Sequence, residues 1–465
     1  MPYSNQHVIV VGLGETGLSA ARWLSRHGAR VTVADSRATP PNLDTLQAEL
    51  PYVAVRAGAF SADTFADADL LLLSPGVALA TPEVAAAVAR GVPCIGDVEL
   101  LARELKRTGS NAKVIAITGS NGKSTVTTMV GQMCEAAGLK TAVAGNIGLP
   151  VLDALTQIPD ADVFVLELSS FQLETTHTLA PDAATVLNVS EDHLDRYDGM
   201  AGYAAAKARI FHGNGVMVLN REDRYCQNMA LPGREVVWFG QDAPRSANEY
   251  GLGDVAGAAT LRLGDATLMQ ASELPLAGLH NAVNALASLA LCRAIGLPTG
   301  PLLSALKHFK GLPHRVEFVA EVAGVAYYDD SKGTNVGATE AALKGMTRPV
   351  VLIAGGDGKG QDFRPLVTAC ERICRAVVLI GRDGPRIAEV LNDAQSALVE
   401  SNDEGESFLP VLQVPTLEMA VSMAANLAEP GDVVLLSPAC ASLDMFRNYA
   451  HRAQVFIDAV RALQP

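Results

Sequence analysis

Short runs of Val, Ile and Leu alternate along the chain with longer Ala/Leu-rich stretches whose apolar positions recur at helical spacing. HVIVVG precedes GLSAARWLSRHG, VIAIT precedes STVTTMVGQMCEAAG, and VVLIAGG and VVLLS follow in the last third. Runs without polar alternation predict strands buried on both faces, and their alternation with helices predicts βαβ units around parallel sheets. No fixed-period repeat is present. Two Gly-rich strand-to-helix turns, at residues 12 and 118, lie too far apart for one βαβ unit, which places a boundary near Arg103–Ala112. A helical pattern over Ala282–Phe309 ends in GLPHR and places a second boundary near Gly311. The polar stretches Asp242–Gly264 and Asn392–Ser407 predict surface loops or short irregular strands.

Composition narrows the class. The 465 residues are 49% hydrophobic and 18% charged, with Gly 41 and Pro 24 dispersed, which predicts several folded cores and excludes a disordered or fibrous chain. Lys+Arg 36 against Asp+Glu 50 leaves a net charge of −14, the wrong sign for gripping a nucleic-acid backbone, so any phosphate must be held locally. The seven cysteines (94, 134, 226, 292, 370, 374, 440) are odd in number, scattered and without a CxxC pair, which fits a reduced compartment without disulfides. No apolar stretch reaches the ~18 residues of a membrane span, and no secretory leader precedes His7–Val11. A cytoplasmic protein without membrane insertion is expected.

Gly12, Gly14 and Gly17 form G-x-G-x-x-G between a strand and a helix, and the next strand ends in Asp35. Such glycines let the backbone approach a pyrophosphate, and the acid can take a sugar hydroxyl. An NAD enzyme, another nucleotide-holding fold and a purely structural turn all fit this loop alone. The second turn, Ile117-Thr-Gly-Ser-Asn-Gly-Lys-Ser-Thr125, again joins strand to helix. Its backbone N–H groups can cradle phosphate, Lys123 supplies a cation at the β/γ-phosphates, and Ser124 or Thr125 can ligate Mg²⁺. Ile117 stands where the full Walker pattern has Gly, so the loop is a shortened relative. Glu167 closes the run DVFVLE and His193 follows another strand end, both candidates for a metal shell. A histidine among oxygen ligands extends the metal preference from Mg²⁺ to Mn²⁺. Asn281 and Asn284, three apart at a helix start, share a face from which amides can bond a base edge or phosphate, or simply cap the helix. Four polar loop clusters follow: Arg315 in GLPHR, Asp330–Thr334, Asp357–Lys359 and Ser437–Leu443; together they predict a cleft for an anionic substrate.

The expected fold is α/β with three domains: a Rossmann-like domain over 1–105, a central P-loop-type mononucleotide-binding parallel sheet over 106–311, and a C-terminal Rossmann-like domain over 312–465.

The segments TGSNGKST, GNIG, LELSSFQLE, NVSEDHLDRY, GLHNAVNALA, GLPHRVE, DDSKGTN, GGDGKG and SPACASLD occur in the order seen in the Mur ligases, which the chain resembles over nearly its whole length. GLGETG and the last three clusters resemble the branch that adds D-glutamate to UDP-N-acetylmuramoyl-L-alanine with ATP and Mg²⁺ during cytoplasmic peptidoglycan synthesis. The resemblance implies a UDP site, without nicotinamide, at Glu15, Thr16, Ser36, Arg37, Ser74 and Gly76, and a muramoyl site at Asn146, Ser169 and Gln172. It implies an ATP site at Gly119, Asn121, Gly122, Lys123, Ser124, Thr125, Asn281, Asn284, Arg315 and Asp330. Ser124 and Glu167 would serve one Mg²⁺, and His193 and Lys207, as a carbamate, a second. Lys332, Thr334, Lys359, Ser442, Leu443 and Tyr449 would surround D-glutamate. The implied mechanism runs through an acyl phosphate, with Lys123, His193 and Lys207 as the catalytic groups, in a monomer. Three rivals stay open: a sister ligase taking another amino acid, an oxidoreductase using Gly12–Gly17, and a nucleotide-switched interaction module.

Overall fold

The apolar runs are strands. In the structure, a computed structural model that describes residues 2–194, 196–255, 257–276, 278–400 and 409–463, His7–Val11 is buried at every position, as are Val163–Glu167 and Val350–Gly355. Such strands fit only sheets covered on both faces. The strands form three sheets. The first has five parallel strands in the order 54–57, 30–35, 7–11, 70–73 and 94–95. The second has nine, with Lys113–Thr118 between Ala183–Val186 and Val163–Glu167, all three parallel. The third has six, in the order 317–322, 325–329, 433–436, 350–355, 374–380 and 411–413, with only the first pair antiparallel.

Alternation along the third sheet's central strand shows how the core is built. Val350, Leu352 and Ala354 pack with Leu343, Leu366 and Ile387 of the helices on one face. Val351 and Ile353 pack with Val421 and Phe456 of the helices on the other. Burying each Leu or Ile in this way contributes about 2 kcal/mol.

The chain divides into two compact units: one of Met1–Val189, Ala201–Met269 and Asn284–Lys307, the other of Ser190–Met200, Gln270–Val283 and His308–Pro465. The first unit holds the first two sheets, joined through helix Asp97–Thr108. Its Glu99, 0% exposed, accepts the backbone N–H of His177 (2.7 Å) and Thr178 (2.8 Å) and a bond from Arg103 Nε (2.9 Å). Burial would raise this carboxyl, but those donors outweigh it and hold it below the usual carboxylate range. Ser19 Oγ adds a bond to Asp153 at 2.7 Å.

Three expectations need correction. The pattern over Ala282–Phe309 is two helices, Leu279–Ala294 and Thr299–His308, because Gly296 turns at φ +89° and Pro298 cannot continue a helix. Within Asp242–Gly264, Tyr250–Val255 and Ala258–Leu263 form a regular antiparallel pair. Residues 392–400 belong to helix Gly384–Glu400, anchored in the core by Ile387 and Leu391; 401–407 lie outside the described residues. No helix among the described residues is long and apolar enough to cross a membrane, and all seven cysteines are free.

Gly17 shows the tightest demand on the first turn: a Cβ there would stand 1.9 Å from the Gly12 carbonyl oxygen. Gly17→Ala is expected to destabilise the chain by about 3 kcal/mol, read as a lowered denaturant midpoint with an unchanged slope.

Candidate functional site

Parallel register gathers the first unit's loops. Val11 pairs with Ala34 and Leu73, so the Gly12 turn, Asp35 and Ser74 emerge side by side. They wall a cavity of about 910 Å³ whose lining includes Glu15, Thr16, Ser36, Arg37, Ser74, Gly76, Asn146 and Gln172. Ser169 touches this wall through Gln172, whose Oε1 accepts the Ser169 backbone N–H at 3.1 Å in a capping box. Asp97, wholly buried, sits against the Gln172 amide; burial pushes its carboxyl up to about 6 despite that bond and its own helix N–H groups.

Asp35 lines this cavity with both carboxylate oxygens already engaged. Oδ2 accepts the Leu13 N–H (2.7 Å) and Arg37 Nη2 (2.6 Å), and Oδ1 accepts the Arg37 N–H (2.9 Å) and Nε (2.8 Å). Burial would raise the carboxyl, but these donors hold it at about 2. The acid ties the Gly-rich turn to Arg37, and both residues line the cavity.

The second turn lies on the central sheet. Ile117 pairs with Glu167 on one side and Thr185 on the other, so the loop opens directly beside Glu167. Gly122 caps the following helix at φ +82°, where a Cβ would fall 2.7 Å from Asn284 Oδ1; this requires glycine and places Asn284 at the loop. Ser124 and Thr125 are buried in the first helical turn. Asn188, which the motif reading passed over, pins the loop: its Oδ1 accepts the Asn121 N–H (2.8 Å) and its Nδ2 donates to Asn121 O (3.0 Å).

Two cations meet over this turn. Lys123 Nζ donates to the Gly119 and Ser120 carbonyls at 2.9 and 2.8 Å. Lys207 Nζ, 1% exposed and 4.3 Å above the Tyr203 ring, donates to the same Gly119 oxygen at 2.9 Å. Two ammonium groups on one carbonyl repel unless an anion joins them. Glu167 is 1% exposed; Oε1 accepts from Asn146 Nδ2 at 2.7 Å, whereas Oε2 is buried without a hydrogen-bond partner among the described residues. An orphaned carboxylate oxygen beside a Gly-rich phosphate loop fits a hard divalent cation.

The remaining candidates fall in the second unit. Asn281 and Arg315 line a cavity of about 560 Å³. Asn281 and Asn284 stand three apart in the first turns of helix Leu279–Ala294, as expected, and the division into compact units falls between them. Asp330 is 6% exposed and accepts from Ser437 Oγ at 2.7 Å; burial, partly offset by that bond, pushes its carboxyl up to about 7. Lys332 Nζ lies 3.7 Å over the Tyr449 ring, a cation–π contact. Thr334 bonds back to the Lys332 carbonyl at 2.9 Å. Reciprocal Asp357–Ala441 backbone bonds zip the Lys359 loop to the loop carrying buried Ser442, and Lys359 Nζ bonds Asp192 Oδ1 at 2.6 Å. Leu443 is 72% exposed. His193 follows Asp192 at φ +56°, its Nε2 3.6 Å from the Asp192 carboxylate. His314, unread in GLPHR, bonds Asp329 Oδ2 through Nδ1 at 2.7 Å and accepts the Lys332 N–H on its carbonyl at 3.1 Å.

Because ionised Asp330 is disfavoured by burial, the folded chain holds its proton at a pH where the unfolded chain has released it. Stability should therefore fall as pH rises from about 4 through 7. Asp330→Asn is expected to flatten that decline, measured as Tm against pH.

Gly-rich turns on two sheets, one walling a nucleotide-sized cavity and one under paired lysines, define a nucleotide-binding α/β enzyme. Family models match nearly the whole chain in succession: Mur ligase MurD-like, N-terminal domain, over 6–96; Mur ligase middle domain, over 117–292; and Mur ligase, glutamate ligase domain, over 314–440. The UDP-N-acetylmuramoylalanine–D-glutamate ligase of Methylobacillus flagellatus is 57% identical over 460 residues, 99% of this chain and 98% of that one. The enzyme of the same name from Chromobacterium violaceum is 58% identical over 468 residues, 100% and 99% of the two chains. The chain belongs to the Mur ligase family. Among solved structures, the UDP-N-acetylmuramate-alanine ligase MurC of Thermotoga maritima shares the fold at a TM-score of 0.60 and 20% identity, over 98% of this chain and 100% of that one. MurF of Acinetobacter baumannii does so at 0.61 and 17%, over 98% and 91%.

Proposed function

We infer that the chain is an ATP-dependent ligase that joins D-glutamate to UDP-N-acetylmuramoyl-L-alanine through an acyl phosphate. The observation that carries this reading is the pair of ammonium groups, Lys123 and Lys207, sharing the Gly119 carbonyl beside the buried Oε2 of Glu167, which has no hydrogen-bond partner among the described residues, in a chain 57% identical to a ligase of that name. It is supported by a cavity at the first turn roomy enough for a nucleotide sugar and lined by Arg37.

The roles follow from charge. The substrate's terminal carboxylate attacks the γ-phosphorus of ATP, the bond to the bridging oxygen breaks, and ADP leaves. Lys123 neutralises the γ-phosphoryl oxygens, and the backbone of Gly119, Asn121 and Gly122 with Ser124 and Thr125 cradles the phosphates. The D-glutamate amine then attacks the acyl carbon, the C–O bond to phosphate breaks, the nitrogen gives up one proton, and inorganic phosphate leaves carrying it. Asn281, Asn284, Arg315 and Asp330 bind ATP. Glu15, Thr16, Ser36, Arg37, Ser74 and Gly76 hold UDP, and Asn146, Ser169 and Gln172 the muramoyl end. Lys332, Thr334, Lys359, Ser442, Leu443 and Tyr449 receive D-glutamate.

Ser124 and Glu167 would hold one Mg²⁺, and His193 with Lys207 a second, with Mn²⁺ as a substitute; bound there, the ions would offset phosphoryl charge. For that role the Lys207 ammonium must release one proton to become an amine, form an N–C bond to carbon dioxide and release a second proton, which turns a cation into an anionic oxygen ligand. The functional domains are 1–105, 106–311 and 312–465, in a cytoplasmic monomer.

Phosphate release by the purified chain tests the reading. With ATP, Mg²⁺ and UDP-N-acetylmuramoyl-L-alanine, release should require D-glutamate and fail with L-glutamate or without an amino acid; release driven by another amino acid would move the chain to a sister ligase. Lys123→Ala should lower kcat by about 10³-fold or more. Lys207→Ala should be inactive and regain activity with added short carboxylates; full activity without them would exclude the carbamate.

A further inference from the structure

The largest fully buried side chain among the described residues is a charged one, Arg452, 0% exposed in helix Tyr449–Arg461. Nε donates to Ser331 Oγ (3.0 Å), Nη2 to Ser331 O (2.7 Å) and Nη1 to Cys440 O (3.1 Å). All three acceptors are neutral. The carboxylates of Asp329, Asp330 and Asp444 act on it only through their field, and burial pulls the guanidinium down to about 10, still charged near neutrality. Sealing a cation away without a direct carboxylate partner is costly, and an apolar residue of similar volume would fill the space at less cost. What the apolar residue lacks is a rigid fork of donors able to tie separate segments together.

The tied segments are significant. Ser331 precedes Lys332, and Cys440 stands two residues before Ser442. They leave adjacent parallel strands that end in the paired residues Asp329 and Leu436. Ser331 Oγ passes the connection on to the Tyr449 carbonyl at 2.8 Å, and the Tyr449 ring carries the Lys332 ammonium. One guanidinium thus connects the loop of Lys332, the loop of Ser442 and the first turn that presents Tyr449.

We propose that Arg452 is a positioning residue for the amino-acid substrate, holding Ser331 against Cys440 and so setting the spacing of Lys332, Tyr449 and Ser442 that receives a dicarboxylic amino acid. This rests on the D-glutamate reading. Arg452 touches no substrate and acts through the two loops.

The test is steady-state kinetics of the full chain with each substrate varied in turn, for Arg452→Lys and Arg452→Ala. The KM for D-glutamate should rise about tenfold or more while those for ATP and the nucleotide sugar stay within about twofold. Millimolar guanidinium should restore the D-glutamate KM of Arg452→Ala and leave Arg452→Lys unchanged. Equal rises in all three KM values, or no rise, would overturn the proposal. Should both variants fail to fold by circular dichroism, Ser331→Ala removes only the side-chain oxygen that Nε and Tyr449 share; it should raise the D-glutamate KM alone, and an unchanged value would overturn the positioning role. A wild-type chain that ignores D-glutamate would overturn the underlying reading as well, whereas an active wild type with unselective variants overturns the positioning role alone.

Discussion

Parallel pairing of strands buried on both faces is the constraint on which everything else rests. Each such strand ends at the same edge of its sheet, so the loops that follow must emerge together. Register then decides which residues become neighbours. Ile117 beside Glu167 sets a carboxylate next to a phosphate loop, and Val11 beside Ala34 and Leu73 sets Arg37 and Ser74 around the first Gly-rich turn. In the third sheet, Asp329 beside Leu436 brings the Ser331 and Cys440 loops within reach of one side chain.

A chain with a net charge of −14 that handles phosphates has to concentrate its positive charge locally. It does so by arranging cations over backbone carbonyls and by keeping nearby acids engaged. Both oxygens of Asp35 are taken by Leu13 and Arg37, so the acid's charge is spent within the protein at the wall of the first cavity. Glu99 spends its charge on two backbone N–H groups and Arg103, and in doing so joins the first two sheets into one unit. Glu167 keeps one buried oxygen without a hydrogen-bond partner among the described residues, and it stands at the phosphate loop.

The first turn shows how one local pattern serves different chemistry. A G-x-G-x-x-G loop followed by an acid invites a dinucleotide reading, and the backbone geometry here is of that kind, with Gly17 pressed against Gly12. The acid here already receives four N–H donors, one from Leu13 and three from Arg37, which tie the Gly-rich turn to the end of the next strand.

The amino-acid sequence by itself determined the α/β class, the two nucleotide-type turns and the GLPHR loop that lines the second unit's cavity. Those features are local: a strand-to-helix turn, a run of β-branched residues or a Gly-Lys-Ser triplet expresses its preference within a few residues. The same locality explains the misreadings, since Gly296 and Pro298 split a helix that a periodic pattern carried through, and residues 392–400 joined one because Ile387 and Leu391 had a core to enter. Only the tertiary structure decided that Asp35 turns to Arg37, that Lys123 and Lys207 meet on one carbonyl, and that Arg452 is buried beneath the Ser331 and Cys440 loops. Lys207 lies 88 residues from Gly119, and Arg452 lies 121 from Ser331. Their contact is set by strand register and helix packing, and no single segment carries a record of it.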